Sequence, residues 1–212
     1  MQVLEDVFSE FGYNVVNMDA TNSLNESDSS EEGITTTGHY EDLVDVIEWA
    51  QKQPFYKEPF ALAGQSLGAI SVVRYSGNYP DKVNLLIPCA FPYYNYVEEE
   101  LNDYAKEVIK KGYCDKISKS TGKVLRLKTA YVEDMKTLNI TPQIQMIKAN
   151  TYVIIGSKDN EKHKKNSKYL YQMLDCKKDF YLLEDIPHDL ANNLRDKELF
   201  TKTIKDILIK NN

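Results

Sequence analysis

The sequence contains a G-x-S-x-G pentapeptide at residues 64–68, between an apolar run and a helical run. Residues 60–63 are typical of a buried strand, and residues 67–78 are typical of a small-residue helix that stops at Pro80. A serine at the centre of a strand-turn-helix indicates a sharp, strained turn that exposes its hydroxyl group. We expect side chains at both glycine positions to collide with neighbouring backbone.

Strand-like and helix-like patterns alternate along the whole chain, without an internal repeat. Five segments are strand candidates: 13–18, 60–63, 83–87, 151–155 and 180–183. A long insert, 91–145, separates the third and fourth candidates and holds a helical pattern (Val97, Leu101, Tyr104, Val108) and an alternating stretch, 124–127, typical of a short strand or hairpin arm. This alternation predicts an α/β fold.

The composition and charge of the chain argue against several classes of partner and site. The chain has 212 residues, 32 acidic and 26 basic, with a net charge of -6 and no basic stripe, so we expect no nucleic-acid partner. Cys89, Cys114 and Cys176 form no CxxC pair, which argues against a disulfide framework or a thiolate zinc site. The sequence has no apolar run of membrane-spanning length and begins with acidic residues, so we expect a cytoplasmic protein.

A serine nucleophile needs a base, and the chain has three histidines. His163 lies in the charged run Glu-Lys-His-Lys-Lys, which is typical of a solvated helix face. His39 precedes a helical pattern and can be interpreted as a surface cap residue. His188 lies in a loop just after a strand candidate, where open α/β sheets place their chemistry, and is the natural general base.

An acidic residue is needed to orient that base. Asp159 lies one loop step beyond the apolar strand candidate 151–155 and is our preferred residue. Glu161 and Asp185 are the alternatives, and a surface salt bridge is the alternative role for Asp159. The helix after Ser66 points its N-terminal amides at the same place, so the Leu67 N–H could donate to an oxyanion.

The chain resembles the α/β-hydrolase family of serine esterases and acylglycerol lipases. The resemblance rests on the G-x-S-x-G turn at 64–68, which we call the elbow, on the Gly-Ser-Lys-Asp after a strand candidate and on the Pro-His-Asp loop. The resemblance implies a mostly parallel sheet flanked by helices, N-terminally truncated, with a helical lid insert. It divides the chain into core residues 1–90, a lid at 91–145 and core residues 146–212. It assigns Ser66 as nucleophile, His188 as base and Asp159 as the orienting acid.

The same resemblance implies two-step hydrolysis of a carboxylic ester through an acyl-enzyme, with no metal and no organic cofactor. The expected partner is a small-molecule ester, and Gln65, Phe91, Tyr93 and Tyr94 are the expected substrate contacts. Packing of the insert against its own helix is the alternative role for the aromatic residues. Peptidase or acyltransferase activity is an alternative within the same chemistry. A catalytically impaired fragment, a pseudoenzyme or a binding module of the same fold is the alternative from another class.

Compared with the family, three N-terminal strands are missing, together with the loop that supplies the second oxyanion donor. The family's third strand would lie between segments 13–18 and 60–63. We therefore expect that these two segments pair directly, that another segment fills the gap, or that the sequence is a piece of a longer protein, which is the interpretation we favour. Homodimerisation through exposed sheet edges is also conceivable.

Overall fold

The computed structural model describes residues 2–22, 33–93, 103–117, 122 and 124–211. The helices of this part are α1 Gln2–Glu10, α2 Thr36–Ala50, α3 Leu67–Asn78, α4 Asp103–Lys111, α5 Thr129–Thr137, α6 Thr141–Met146, α7 Glu161–Met173 and α8 Leu194–Ile209. The strands are β1 Phe60–Gln65, β2 Val83–Cys89, β3 Tyr113–Ile117, β4 Val124–Lys128, β5 Asn150–Gly156 and β6 Lys178–Leu183.

Four of the strands form one sheet in the order β1-β2-β5-β6, and all of its neighbours are parallel. The mostly parallel sheet predicted from the sequence is confirmed. Strands of this kind are covered on both faces, and β2 and β5 accordingly consist almost entirely of buried residues. Because β2 pairs with β5, residues on both sides of the insert share one sheet.

Helices cover both faces of the sheet. Successive residues of β2 point to opposite sides, so Leu86 joins one core cluster while Leu85 and Ile87 join another. Residues of α2, α3, α6 and α7 complete the first cluster, and residues of α1 and α8 complete the second. Among the helices described, none has the length and apolar character to cross a membrane.

The strand predicted at 13–18 does not form. Tyr13 to Met18 has no strand assignment, and Val15 and Val16 are exposed. A buried strand needs a neighbour to satisfy its backbone N–H and C=O groups, and no described residue pairs with this segment. The expectation that it pairs directly with the strand at 60–63 is therefore wrong, because β1 is an edge of the sheet.

The insert contains α4, a two-stranded antiparallel sheet of β3 and β4, and then α5 and α6. The alternating stretch predicted as a hairpin arm is β4, and this prediction is confirmed. A small apolar cluster joins α4, β3, β4 and α5, formed by Ala105, Val108, Cys114, Leu127 and Val132, whereas α6 packs in the first core cluster. Val97 and Leu101 of the predicted helical pattern lie outside the described residues. The assignment of 91–145 as a lid stays a prediction.

Candidate active site

Ser66 occupies a strained turn between β1 and α3. Its φ is 54° and its ψ is -120°, a backbone conformation that non-glycine residues rarely adopt. The Ser66 N–H donates to the Cys89 carbonyl of β2 at 2.9 Å, which ties the turn to the sheet. The sharp turn expected from the pentapeptide is thus present at the carboxyl end of β1.

The two glycines of the pentapeptide have different roles. A Cβ at Gly64 would lie 2.4 Å from the Gly68 carbonyl oxygen, so only glycine fits there. A Cβ at Gly68 would come no closer than 3.8 Å to a described neighbour, the His39 ring, which is an ordinary contact. The expectation of a collision at both positions is wrong for Gly68, because the start of α3 is open on that side.

Ser66, His188 and Asp159 form a chain of hydrogen-bonding contacts. His188 Nε2 lies 3.1 Å from Ser66 Oγ, and His188 Nδ1 lies 2.7 Å from Asp159 Oδ2. An ionised carboxylate only accepts hydrogen bonds, so the contact with Asp159 keeps the proton on Nδ1. The lone pair of Nε2 then faces the Ser66 hydroxyl group, which is the tautomer that a general base requires.

Close backbone packing brings the two loops together. A Cβ at Gly156, the last residue of β5, would lie 2.1 Å from the Ile186 carbonyl oxygen, so the loop before His188 rests directly on the strand end. The Lys158 N–H donates to the same carbonyl at 2.9 Å. On the other side, Gln65 Nε2 donates to the His188 carbonyl at 2.8 Å. The loop that carries His188 is therefore held at the ends of β5 and β1.

The Asp159 carboxylate is almost completely buried, with 1% of its side chain exposed. Burial acts to raise the pKa of this carboxyl, but hydrogen bonds with His163 and His188 outweigh burial and hold the pKa well below its usual range. The backbone N–H of Asn160 also donates to Oδ1 at 2.7 Å. Asp159 is therefore an ionised acceptor beside His188.

The alternative acids and bases lie elsewhere. Glu161 pairs with Lys164 at 2.6 Å, and Asp185 pairs with Lys158 at 3.0 Å, both on the surface. His39 is half-buried instead of forming a surface cap, because its Nδ1 lies 3.2 Å from Ser71 Oγ on α3. Burial lowers the pKa of His39 despite the charge of Asp42.

His163 lies beside the candidate triad, although the sequence analysis placed it on a solvated face. Its Nδ1 lies 3.1 Å from Asp159 Oδ1 and 3.2 Å from His188 Nδ1. Asn160 caps α7 by accepting the His163 N–H at 2.8 Å, so the first turn of the helix directs the ring inward. The available signal was the position of the Asn160 cap directly after Asp159, because a helix that starts at Glu161 brings the His163 ring in its first turn back to Asp159.

The expected substrate contacts fall into three groups. Gln65 lines the cavity beside β1 and contacts the His188 loop. Phe91 and Tyr93 are buried in the core, where the Tyr93 hydroxyl accepts the Ile140 N–H at 3.1 Å, so neither ring can touch a substrate without moving. Tyr94 lies outside the described residues.

An open cleft lies along the free edge of β1. The N–H groups of Phe60 and Ser66 point to β2, so the backbone groups of Ala61, Ala63 and Gln65 point away from it. A mainly apolar cavity of about 590 Å³ separates this edge from residues 13–18. Within the described part of the chain, no strand fills this space. The cavity reaches Gln65 and Gly68, on either side of Ser66.

Leu67 begins α3 directly after the serine. The first N–H groups of a helix have no acceptor within it, and they carry the positive end of the helix dipole. The Leu67 N–H can therefore donate to negative charge that develops beside Ser66. The absence of the second oxyanion donor from this chain stays a prediction.

Comparison with solved structures identifies the architecture. Est1E from Butyrivibrio proteoclasticus, solved with bound ferulic acid, aligns with a TM-score of 0.79 at 20% identity, over 98% of this chain and 81% of Est1E. Mouse alpha/beta hydrolase domain-containing protein 10 gives 0.77 at 18% identity, over 99% and 83%. Monoacylglycerol lipase from Paleococcus ferrophilus gives 0.76 at 16% identity, over 100% and 88%.

No protein-family model and no curated protein sequence matches the chain. The structural likeness extends over nearly all of its residues, and the described helices flank a parallel sheet as in these structures. The chain has the α/β-hydrolase fold.

Proposed function

We propose that this chain is a serine hydrolase that cleaves carboxylic esters through an acyl-enzyme. The observation that carries the proposal is the line of contacts from Ser66 Oγ to His188 Nε2 at 3.1 Å and from His188 Nδ1 to Asp159 Oδ2 at 2.7 Å. The strained backbone of Ser66 adds support, because strain of this kind clusters at catalytic positions.

In the first step His188 Nε2 takes the Ser66 proton while Oγ bonds to the ester carbonyl carbon. The carbonyl oxygen becomes an oxyanion, and the Leu67 N–H donates to it. Asp159 stabilises the imidazolium that forms. The C–O bond to the alcohol then breaks, His188 gives its proton to the departing oxygen, and Ser66 is left acylated.

The second step repeats this chemistry with water. His188 takes a proton from water as the water oxygen attacks the acyl carbon, and the bond to Ser66 Oγ breaks. His188 returns the proton to Oγ, and the carboxylic acid leaves. Each step conserves protons, and Ser66 and His188 return to their starting states.

The names of the structural neighbours favour esters as the substrate class. They include Est1E with bound ferulic acid and a monoacylglycerol lipase. A first substrate panel is therefore p-nitrophenyl acetate and butyrate, ethyl ferulate and a monoacylglycerol. We expect hydrolysis of at least one ester, and we expect Ser66→Ala to abolish it. Hydrolysis that persists in S66A at the wild-type rate would contradict the proposal.

Acyl transfer and peptide cleavage proceed through the same kind of acyl-enzyme. An added acceptor distinguishes acyl transfer from hydrolysis, and a peptide substrate tests for peptidase activity. Adding an alcohol or a thiol to the ester assay yields a new ester if the chain is an acyltransferase. A peptide p-nitroanilide releases its chromophore if the chain is a peptidase. Product formed only as free acid supports hydrolysis.

The open cleft beside β1 favours a second candidate, a chain of the same fold that is catalytically impaired or that only binds. Because of the cleft, one edge of β1, the strand that ends just before Ser66, has no paired strand among the described residues. A chain that unfolds cooperatively and shows no activity on the ester panel would support this candidate. The same panel therefore discriminates between the two.

A further inference from the structure

Three metal-ligating side chains meet on the side of His188 that faces away from Ser66. Asp159, His163 and His188 each offer a ligand atom, and these atoms lie within 4.8 Å of one another. His163 Nδ1 lies 3.2 Å from His188 Nδ1, and Asp159 Oδ1 and Oδ2 lie 3.1 Å and 2.7 Å from these two nitrogens. We call these three residues the His163 cluster.

No placement of protons on the ring nitrogens makes every contact in this cluster a favourable hydrogen bond. His163 Nδ1 faces an acceptor, Asp159 Oδ1, and also the amide nitrogen of Asn160 at 2.8 Å. The Asn160 oxygen accepts the His163 backbone N–H, so its amide nitrogen must donate. One contact of His163 Nδ1 is therefore unfavourable in either tautomer. A proton on this nitrogen would also oppose the proton on His188 Nδ1, only 3.2 Å away.

A divalent cation would replace these competing protons. Zinc binds imidazole nitrogen and carboxylate oxygen at about 2.0–2.2 Å, so in a tetrahedral site its ligand atoms lie roughly 3.3–3.6 Å from one another. In the cluster the two ring nitrogens lie 3.2 Å apart, and each contacts a different oxygen of Asp159, at 3.1 Å for His163 and 2.7 Å for His188. The two nitrogens are already close to the separation that zinc needs, and with one carboxylate oxygen of Asp159 the three ligand atoms lie within 4.8 Å of one another.

The cluster is also accessible. Asp159 is 1% exposed, whereas 21% of the His163 side chain and 40% of the His188 side chain are exposed. A cation can enter from solvent and keep a water molecule as its fourth ligand. Two imidazoles, one carboxylate and one water form a donor set that zinc accepts.

We propose that Asp159, His163 and His188 form a Zn²⁺ site whose occupation switches off the catalytic base. A neutral imidazole carries one proton, so zinc on His188 Nδ1 moves that proton to Nε2. Nε2 then presents an N–H to Ser66 Oγ and cannot accept its proton. The inhibition rests on the proposed function, whereas the metal site does not.

The binding test uses Zn²⁺ alone, titrated by isothermal calorimetry into the purified chain after treatment with a chelator. His163→Gln is the test variant and His39→Gln is the matched control, because His39 lies outside the cluster. We expect one zinc per chain for the wild type and H39Q, and an affinity at least about tenfold weaker for H163Q. Equal affinity in H163Q and the wild type would overturn the site.

A second variant at the same position covers the case in which H163Q does not fold. If H163Q does not unfold cooperatively, His163→Asn carries the same expectation, since asparagine keeps a short polar side chain at that position. A wild-type chain that binds no zinc in the micromolar range would also overturn the proposal. These outcomes are independent of catalysis, so they stand even if the ester hydrolase proposal fails.

The inhibition test compares ester hydrolysis with zinc and with EDTA within each variant. We expect zinc to slow the wild type and H39Q by at least about tenfold near saturation and to slow H163Q much less at the same concentration. Zinc that binds through His163 and leaves wild-type hydrolysis unchanged would overturn the inhibitory role. Wild-type chain that binds zinc but hydrolyses no ester would instead contradict the proposed function.

Discussion

His188 Nδ1 lies 2.7 Å from Asp159 Oδ2, and this contact determines which ring nitrogen carries the proton. Asp159→Asn replaces an acceptor with an amide that can donate, which favours the wrong tautomer of His188. We expect kcat for ester hydrolysis to fall by about 10³–10⁴ with the fold intact. Steady-state kinetics on the best substrate of the panel measures this loss.

Asp185→Asn is the matched control, because Asp185 was an alternative acid and lies on the surface, paired with Lys158. We expect its kcat to stay within severalfold of the wild type. A larger loss in D185N than in D159N would show that the orienting acid is assigned to the wrong residue.

The two glycines of the elbow should differ in their tolerance of alanine. Gly64→Ala places a Cβ 2.4 Å from the Gly68 carbonyl oxygen, and we expect the free energy of unfolding to fall by about 1–3 kcal/mol. Gly68→Ala has room and lies in a helix, where alanine is favoured by up to about 1 kcal/mol. Urea unfolding measures both variants, and equal destabilisation would contradict the asymmetry.

Gln65 should position the base from the strand that carries Ser66. Gln65→Leu removes the hydrogen bond from Nε2 to the His188 carbonyl, and we expect kcat to fall by roughly threefold to tenfold, consistent with a net loss of about 1 kcal/mol. Gln53→Leu removes a similar bond to the Trp49 carbonyl far from the site and should leave kcat unchanged. Equal kcat values for Q65L and Q53L would argue against a positioning role.

His39 should make stability depend on pH. Burial lowers its pKa in the folded state below the unfolded value of about 6.5, so the unfolded chain binds the proton more readily. The stability that neutral His39 contributes is fully present above its unfolded pKa and is lost as pH falls through its folded pKa. The charge of Asp42 opposes the lowering of the His39 pKa.

Urea unfolding of the wild type and His39→Asn between pH 7.5 and 5.5 tests this sign. We expect wild-type stability to fall relative to that of H39N as pH decreases, because asparagine does not titrate. A constant difference between the two chains across this range would contradict the expectation.

Much of the fold could be predicted because its central strands are buried on both faces. The runs in β2 and β5 are continuous and apolar, which distinguishes them from amphipathic helices, and the segment between β1 and α3 carries the elbow. The segment 13–18 has a similar run of letters but no strand. Strand formation depends on a pairing partner, and a local pattern does not contain that information.

At the site, chain order and strand ends pointed to Ser66, Asp159 and His188, whose side chains lie in contact in the structure, and their catalytic roles stay a prediction. His163 was missed because its neighbours in the sequence are charged, which is typical of a solvated face. Its inward position depends on where α7 begins, one residue after Asn160. The sequence left the role of Phe91 and Tyr93 open between packing and substrate contact, since an aromatic run has the same composition in a core and in a binding site, and the structure buries both residues.

Labelling with a fluorophosphonate probe tests the central claim most directly, because such probes react only with activated serines. The adduct on the purified chain is located by mass spectrometry, beside S66A and His188→Ala. We predict labelling at Ser66 in the wild type and its loss in both variants, since Oγ is activated only through His188 at 3.1 Å. A cooperatively folded wild-type chain that stays unlabelled, or that is labelled at another residue, would contradict the account.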